Sequence, residues 1–92
     1  MTEQEFRDKL RAEGYNDPVL VEWQAEKLND THTHEFGACG LVLSGQFTLT
    51  TAAGARTCEE GDTFALEANM PHAEHVGRDG ARLLVGRTTA AT

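Results

Sequence analysis

The sequence predicts an all-β fold, an antiparallel β-barrel preceded by one short helix. From Thr31 onward, turn-forming residue pairs recur at close, regular intervals and separate short runs of strand-forming residues. The pairs are Ser44-Gly45, Ala53-Gly54, Gly61-Asp62 and Asp79-Gly80. Within the runs, apolar and polar residues alternate, as they do in residues 47–50 and 63–66. Because this alternation is typical of strands with one buried face, the pattern favours a closed barrel or sandwich.

The helix is predicted over residues 3 to 13. Thr2 and Glu5 have the spacing of a capping box at the start of a helix. Gly14 stands where a residue of left-handed conformation commonly ends one. We therefore assign residues 1–17 to an N-terminal helix and its connection to the barrel.

The apolar stripe of this helix is narrow. Phe6 and Leu10 lie one turn apart on the same face, and Tyr15 follows just beyond the helix. Because so few apolar residues cannot form a core alone, we expect the helix to pack on the outside of the barrel or against a partner subunit.

The barrel is predicted over residues 18–88, with residues 89–92 as a frayed tail. Its first strand is expected at residues 19–25, which include the lone tryptophan, Trp23. We interpret Trp23 as a packing residue, and the alternative is a wall of a ligand site. The last strand is expected at residues 81–85.

Length and charge limit the classes of function. Ninety-two residues suit one domain, and a formal charge of −7 with scattered basic residues disfavours nucleic-acid binding. The N-terminal stretch has no apolar run long enough for a signal peptide or a membrane span, so we expect a cytoplasmic protein without a membrane partner. In that compartment Cys39 and Cys58 are not expected to form a disulfide.

A homodimer is expected. The core of so small a domain is limited, and a second copy would add to its stability. Residues 41–43 and 83–85 are apolar at every position, and a strand that is apolar on both faces needs a cover on each.

Three histidines form the candidate metal site. His32 and His34 are two residues apart, so they point to the same side of an extended segment, and His72 is the candidate third ligand. Imidazoles from two distant segments can hold one divalent transition metal ion per chain. Iron, manganese, nickel, zinc and copper all accept imidazole nitrogen, so this pattern does not choose among them.

The arrangement around these histidines resembles the cupin family. His32-Thr33-His34 followed by Gly45 is similar to the first cupin motif, and Gly61 with Pro71-His72 is similar to the second. The resemblance covers residues 19 to 87. It implies a double-stranded β-helix barrel of the cupin or jelly-roll type, and dioxygenase, isomerase, lyase or decarboxylase chemistry.

The sequence departs from the family motifs at three positions. Glu67 and Asn69 stand where the second motif has proline and glycine, and asparagine is well suited to a left-handed turn. Ala38 stands where the first motif has a glutamate ligand, which implies three neutral ligands and an open coordination position. Cys39 would replace that glutamate if a bulge shifted the register of the strand.

Glu74 is the candidate catalytic residue. It has the parity of His72 along a strand, so we expect it to face the ion and to orient water or accept a substrate proton. The alternatives are that Glu74 ligates the ion or is merely solvated. His75 has the opposite parity and should face outward, and Glu35 is interpreted as surface charge.

Other polar residues have weaker claims to a function. The arginines Arg78, Arg82 and Arg87 could bind a carboxylate substrate, but arginines at the rim of a barrel are usually solvated, which is our interpretation here. Cys58 precedes a turn and is interpreted as structural.

The sequence therefore favours a metal-dependent enzyme, similar to a dioxygenase, isomerase or lyase, that acts on a small organic molecule. The alternative is a non-catalytic cupin module that binds a small ligand or a metal for sensing or storage. A purely structural barrel would leave all three histidines without a role. Because one fold supports many activities, the resemblance does not choose between the first two.

Overall fold

A computed structural model of the chain describes residues 1–88, and the predicted tail at residues 89–92 lies outside them. The described residues form one helix and a single six-stranded antiparallel sheet. The elements are α1 (Glu3–Ala12), β1 (Val19–Trp23), β2 (Leu28–His32), β3 (Ala38–Thr51), β4 (Gly54–Glu59), β5 (Thr63–Leu66) and β6 (His72–Arg87). Within that part of the chain, no helix is long and apolar enough to cross a membrane. The all-β prediction with a short N-terminal helix is confirmed.

Two long strands, β3 and β6, form the centre of the sheet. They pair with each other along most of their length, and each short strand pairs with only part of one of them. We call the first half of the sheet β1, β5, the start of β3 and the end of β6. The second half is β2, β4, the end of β3 and the start of β6.

The two halves fold over one another and enclose the core. One buried cluster takes Val42, Phe64 and Leu83 from the first half and Phe47, Leu49, Cys58 and Val76 from the second. Residues from both halves can touch only if the inner faces of the halves oppose each other, as they do in a barrel. The sheet thus bends where β3 and β6 pass from one half to the other. We call the ends of the halves that lie away from this bend their free ends, and these ends face each other.

Two of the four predicted turns are wrong. The pairs at residues 44–45 and 79–80 lie inside β3 and β6, where the pairing of the two long strands is irregular between Val42 and Phe47. Gly45 and Gly80 adopt positive φ angles of 74° and 73°. Left-handed glycine is as characteristic of a β-bulge as of a turn, so its presence in the sequence did not distinguish the two. The turns at Ala53-Gly54 and Gly61-Asp62 separate strands as expected.

Gly45 allows the backbones of β3 and β6 to come together at the bend. A Cβ atom at Gly45 would lie 2.0 Å from the carbonyl oxygen of Gly80. Any side chain at this position would therefore collide with main chain that is itself fixed by pairing.

The bulge in β3 also reverses which residues face inward. Before it, Val42 lies in the core between the halves, whereas Leu41 lies on the outer face. After it, the inward residues are Phe47 and Leu49. The extra residue of a bulge shifts the two-residue alternation of a strand, so inward positions change from even to odd numbers. The predicted inward orientation of Phe47 and Leu49 is confirmed.

The helix α1 covers the outer face of the first half. Its capping box forms, with Glu5 N–H donating to Thr2 Oγ1 at 3.1 Å and Thr2 N–H donating to Glu5 Oε1 at 2.8 Å. Phe6 and Leu10 are fully buried against the outer face. The strand residues that they contact are Cys39, Leu41 and Leu84. The expectation that the helix packs on the outside of the barrel is confirmed.

This packing explains one of the observations behind the expected dimer. Leu41 and Leu84, which gave their strands a second apolar face, are buried under the chain's own helix. Exposed apolar side chains remain on the edge strand β1, where Val19 is 65% and Leu20 43% exposed. The homodimer stays a prediction.

We expect Gly45→Ala to destabilise the protein far more than Gly14→Ala. Gly14 also has a positive φ, 82°, but a Cβ atom there meets nothing within 4 Å, so its substitution costs only the conformational penalty of about 1–2 kcal/mol. Gly45→Ala adds the collision with Gly80 and should cost more than about 3 kcal/mol. Urea denaturation monitored by far-UV circular dichroism measures both losses. Equal losses would mean that the bend tolerates a side chain.

Candidate metal centre

The three histidines come from two segments that are held side by side. His32 is the last residue of β2 and pairs with His72, the first residue of β6. His34 lies in the connection that follows, where its carbonyl oxygen accepts a hydrogen bond of 2.7 Å from Asn69 N–H. Asn69 has a positive φ of 63°, as expected for the residue that replaces the glycine of the second motif. This hydrogen bond joins the segment before β3 to the segment before β6.

The imidazole rings of the three histidines converge. The ring centroids of His32 and His72 are 4.3 Å apart, those of His32 and His34 are 4.8 Å apart, and those of His34 and His72 are 5.3 Å apart. One nitrogen of each ring lies within 4.8 Å of the corresponding nitrogens of the other two. This spacing suits three ligands on one side of a single ion. The structure thus brings together the three residues that the sequence singled out.

Backbone carbonyls orient two of the rings. His32 Nδ1 lies 2.6 Å from the carbonyl oxygen of Asp30, and His72 Nδ1 lies 2.9 Å from that of Met70. A carbonyl can only accept, so each Nδ1 must donate its proton. The lone pair of each ring is then on Nε2. This is the arrangement by which metal-binding histidines are usually held.

The third ring, that of His34, is electrostatically suited to remain neutral. Partial burial lowers the pKa of His34, and the nearby His32 and His72 lower it further when they carry charge. An imidazole must be unprotonated to ligate a metal. The lowered pKa of His34 therefore favours the form of its ring that a divalent transition metal ion requires.

Phe36 supports the ring of His34 from outside the cluster. The two rings are stacked with centroids 4.9 Å apart and an angle of 15° between their planes. The guanidinium carbon of Arg87 lies 4.8 Å from the centroid of the same Phe36 ring. The role of Phe36 was not predicted from the sequence. Its spacing of two and four residues from His34 and His32 places it on the same side of an extended segment, but an aromatic residue after a histidine pair does not by itself indicate a function.

Glu74 faces the histidines from β6. Its side chain is nearly buried, its Oε1 accepts a hydrogen bond of 3.2 Å from Asn29 Nδ2, and the same oxygen lies 3.8 Å from His32 Nε2. Asn29 pairs with Glu74 in the β2–β6 ladder, which fixes the contact. The expected inward orientation of Glu74 agrees with the structure. The role of Asn29 was not foreseen, because it depends on a strand pairing that the sequence does not specify.

A cavity of about 440 Å³ opens beside the cluster. Its apolar wall is formed by Val21, Trp23, Leu28, Phe64, Leu66 and Val85. Trp23 packs edge-on against Phe47, with centroids 5.6 Å apart, as the packing interpretation expects, and it also lines the cavity. A cavity with an apolar wall on one side and a cluster of polar groups on the other is the usual form of a small-molecule site.

Ala38 lines this cavity and has the same orientation as the histidines. Its methyl group therefore occupies the side of the site where the first cupin motif has a glutamate. Cys39 points the other way and is buried under α1, so the bulge that would have turned it toward the ion does not occur there. The first four residues of β3 pair regularly with β5, which leaves no register shift at this point.

The remaining candidates lie away from the cluster. His75 is exposed, with Nε2 3.6 Å from a carboxylate oxygen of Glu26, and Glu35 is exposed, as expected for both. Cys58 is fully buried in the core. The three arginines are all exposed, and Arg87 is the one that lines the cavity.

The donor set fits a divalent metal ion. Two rings are held with Nε2 free, the third ring favours its neutral form, and a carboxylate lies close to one of the nitrogens. An ion held in this way would keep coordination positions open toward the cavity and Ala38. Such an arrangement is suited to bind and polarise an oxygen-containing molecule.

Comparison with solved structures supports the fold. An RmlC-like cupin from Shewanella frigidimarina is 18% identical, with a TM-score of 0.71 over 80% of this chain and 66% of the other. The polyketide cyclase RemF from Streptomyces resistomycificus is 18% identical, with a TM-score of 0.68 over 86% and 58%. A chain from the DMSP lyases RdDddP and RnDddQII is 26% identical, with a TM-score of 0.71 over 77% and 37%.

The chain thus spans less than two thirds of the length of several structures that it matches. No curated protein matches the sequence. The family model of the cupin domain matches residues 19–85, which include all three histidines, Glu74 and most of the sheet. The chain belongs to the cupin family.

Proposed function

We propose that the chain is a metal-dependent enzyme that acts on a small organic molecule. The observation that carries this proposal is the convergence of three imidazoles at the wall of a cavity whose other side is apolar, with a nearly buried carboxylate beside them. His32, His34 and His72 would hold one divalent transition metal ion. When bound, the ion supplies Lewis acidity toward a substrate oxygen.

Glu74 is the residue that moves a proton in this proposal. Its Oε1 is held by Asn29 and faces the same cavity as the histidines. A carboxylate in this place can accept a proton from a substrate carbon next to a carbonyl or carboxylate group. In a lyase, the electron pair of the broken C–H bond then forms a double bond as a leaving group departs. In an isomerase, the same electron pair forms a double bond and a proton returns to a different atom of the substrate. The proton on Glu74 passes to water or back to the product.

Many lyases and isomerases begin by abstracting a proton, and we favour these classes over dioxygenase chemistry. The nearly buried carboxylate of Glu74 beside the histidines is a group that proton abstraction uses directly. The similarity to chains described as a DMSP lyase and a polyketide cyclase agrees with this choice, although at these identities it supports the fold more than the reaction. The alternative, a non-catalytic module for sensing or storage, would use the same histidines without Glu74.

The first prediction concerns the metal. Protein purified without chelator should carry about one divalent ion per chain, and His72→Ala should weaken metal binding by about a hundredfold or more. Because the ion binds only the folded state, adding it should raise the Tm of the wild type by several degrees and leave that of His72→Ala unchanged.

The matched control is His75→Ala, three residues along the same strand, where the imidazole is exposed and points away from the cavity. Elemental analysis by mass spectrometry and thermal unfolding with and without chelator measure both effects. A His72→Ala variant that retained its ion and its metal-dependent rise in Tm would disprove the assignment.

The second prediction concerns Ala38. Ala38→Glu should place a carboxylate in the open side of the site and raise affinity for hard ions such as Mn²⁺ by about tenfold, since carboxylate oxygen suits them better than water does. Ala65→Glu adds the same charge at an exposed position of β5 and is the control. Competition with a fluorescent chelator measures the affinities. Equal affinities in the two variants would show that residue 38 does not face the ion.

The third prediction concerns Glu74. If the protein catalyses proton abstraction, metal-loaded wild type should exchange the α-protons of one or more small keto acids with D₂O, as followed by ¹H NMR. Glu74→Gln keeps the hydrogen-bonding shape but cannot accept the proton, so exchange should fall by about a hundredfold or more while metal content is retained. Glu35→Gln, at an exposed position, should exchange at the wild-type rate.

Oxygen consumption in the same samples separates the reaction classes. Uptake of dioxygen without proton exchange would favour a dioxygenase, and neither signal with a full complement of metal would favour the binding module. Exchange that Glu74→Gln left unaffected would remove Glu74 from the mechanism.

A further inference from the structure

Arg87 lies at the free end of the first half, opposite the histidines of the second half. It is the last residue of β6 and pairs with Ala38, the residue that replaces the glutamate of the first motif. Its side chain lines the same cavity as the histidines, and its guanidinium carbon lies 4.8 Å from the centroid of Phe36, whose ring stacks on His34. Arg87 and His34 thus contact the same aromatic ring, which places the cation near the three histidines.

This guanidinium has no anionic partner within the described residues. None of the ion pairs among residues 1–88 includes Arg87. Over the same part of the chain, it is the only lysine or arginine that lines the cavity. The contact with Phe36 restricts the position of the guanidinium. It does not provide acceptors for the five N–H donors of that group. A cation that lines a cavity and has no ion-pair partner among residues 1–88 is suited to bind an anion from that cavity.

The remaining charges limit what kind of anion fits. Two carboxylates, those of Asp30 and Glu74, line the cavity, and the whole chain has a formal charge of −7. These carboxylates repel a dianion such as a phosphate monoester more strongly than a singly charged anion, and the one guanidinium offers a single fork of N–H donors. A carboxylate matches the planar fork of arginine and carries a single charge. The apolar wall that includes Trp23 and Leu66 leaves the body of the ligand without polar partners there.

We propose that Arg87 binds the carboxylate of a small monocarboxylic acid whose apolar body lies along the wall formed by Trp23, Leu66 and their apolar neighbours. That this acid is the substrate rests on the proposed function. The binding of the carboxylate itself does not, because Arg87 is not a candidate metal ligand. Arg87 is in this sense a specificity-determining residue, whereas Arg78 and Arg82 lie outside the cavity.

The lone tryptophan provides a direct test. Trp23 is the only tryptophan in the chain and lines the cavity, so its fluorescence reports on occupancy. Butyrate and butyramide have nearly the same shape and differ in charge, so each is titrated into wild-type protein, first metal-loaded and then treated with chelator. Wild type should bind butyrate about tenfold or more tightly than butyramide in both preparations, because only butyrate can form a charge-assisted hydrogen bond with the guanidinium.

Variants assign the effect to one residue. Arg87→Gln should lose the preference for butyrate, and Arg87→Lys should keep part of it, because lysine retains the charge without the fork. Arg82→Gln removes the same charge from an exposed position of the same strand, away from the cavity, and should bind butyrate within about twofold of wild type. Thermal unfolding verifies that each variant is folded.

The outcomes separate this proposal from the metal assignment. If wild type prefers butyrate only when metal is bound, and Arg87→Gln retains that preference, the carboxylate binds the ion and the proposal for Arg87 is wrong. Equal binding of butyrate and butyramide, or equal losses in Arg87→Gln and Arg82→Gln, would also overturn it. A preference that depends on Arg87 in protein that takes up no metal would support this proposal and contradict the proposed function.

Discussion

The close approach of two main chains at Gly45 and Gly80 is the constraint on which the rest of the structure depends. A Cβ atom at Gly45 would lie 2.0 Å from the Gly80 carbonyl oxygen, so β3 and β6 can bend together only because Gly45 lacks a side chain. The bend lets one continuous sheet cover itself. It also reverses the inward face of each long strand, so that the same two strands supply the core near the bend and the site near the free ends. The site therefore depends on the bend, although the site residues and the bend are far apart along both strands.

The doubled sheet explains why the candidate site combines residues with no sequence relationship. His72 and Glu74 begin β6 and belong to the second half, whereas Arg87 ends the same strand and belongs to the first. The connection that carries His34 and Phe36 passes between the halves at their free ends. Backbone carbonyls orient the rings of His32 and His72, and the Asn69 hydrogen bond holds the backbone at His34.

Local patterns predicted what depends on local geometry. The capping box at Thr2, the inward parity of Glu74 and the outward parity of His75 follow from the periodicities of helix and strand, and the structure agrees with each. The left-handed conformation of Asn69 was likewise predictable from its residue type. Motif spacing identified the three histidines, because that spacing is what places them on two neighbouring segments.

What was not predictable depends on contacts between distant segments. A glycine that bends a strand and a glycine that ends one have the same local preference, so Gly45 and Gly80 were mistaken for turns. To predict that Phe6 and Leu10 cover the outer face, one must know where β6 lies. Asn29 acquires its role only by pairing with Glu74, and Phe36 only by contacting both a histidine and an arginine from the far end of β6.

The position of β6 has a consequence for the order of folding. It is the last strand of the described residues, yet β1, β2 and β3 all pair with it, and α1 packs against its residue Leu84. A ribosome that has delivered the chain only as far as Asn69 has therefore produced no partner for β1 or β2. Contacts between residues so distant in sequence form slowly, because a long loop must close before they stabilise anything. During synthesis the nascent chain exposes its strand edges until the end of β6 has left the exit tunnel, and in that interval it depends on dilution or on chaperones to avoid pairing with other chains.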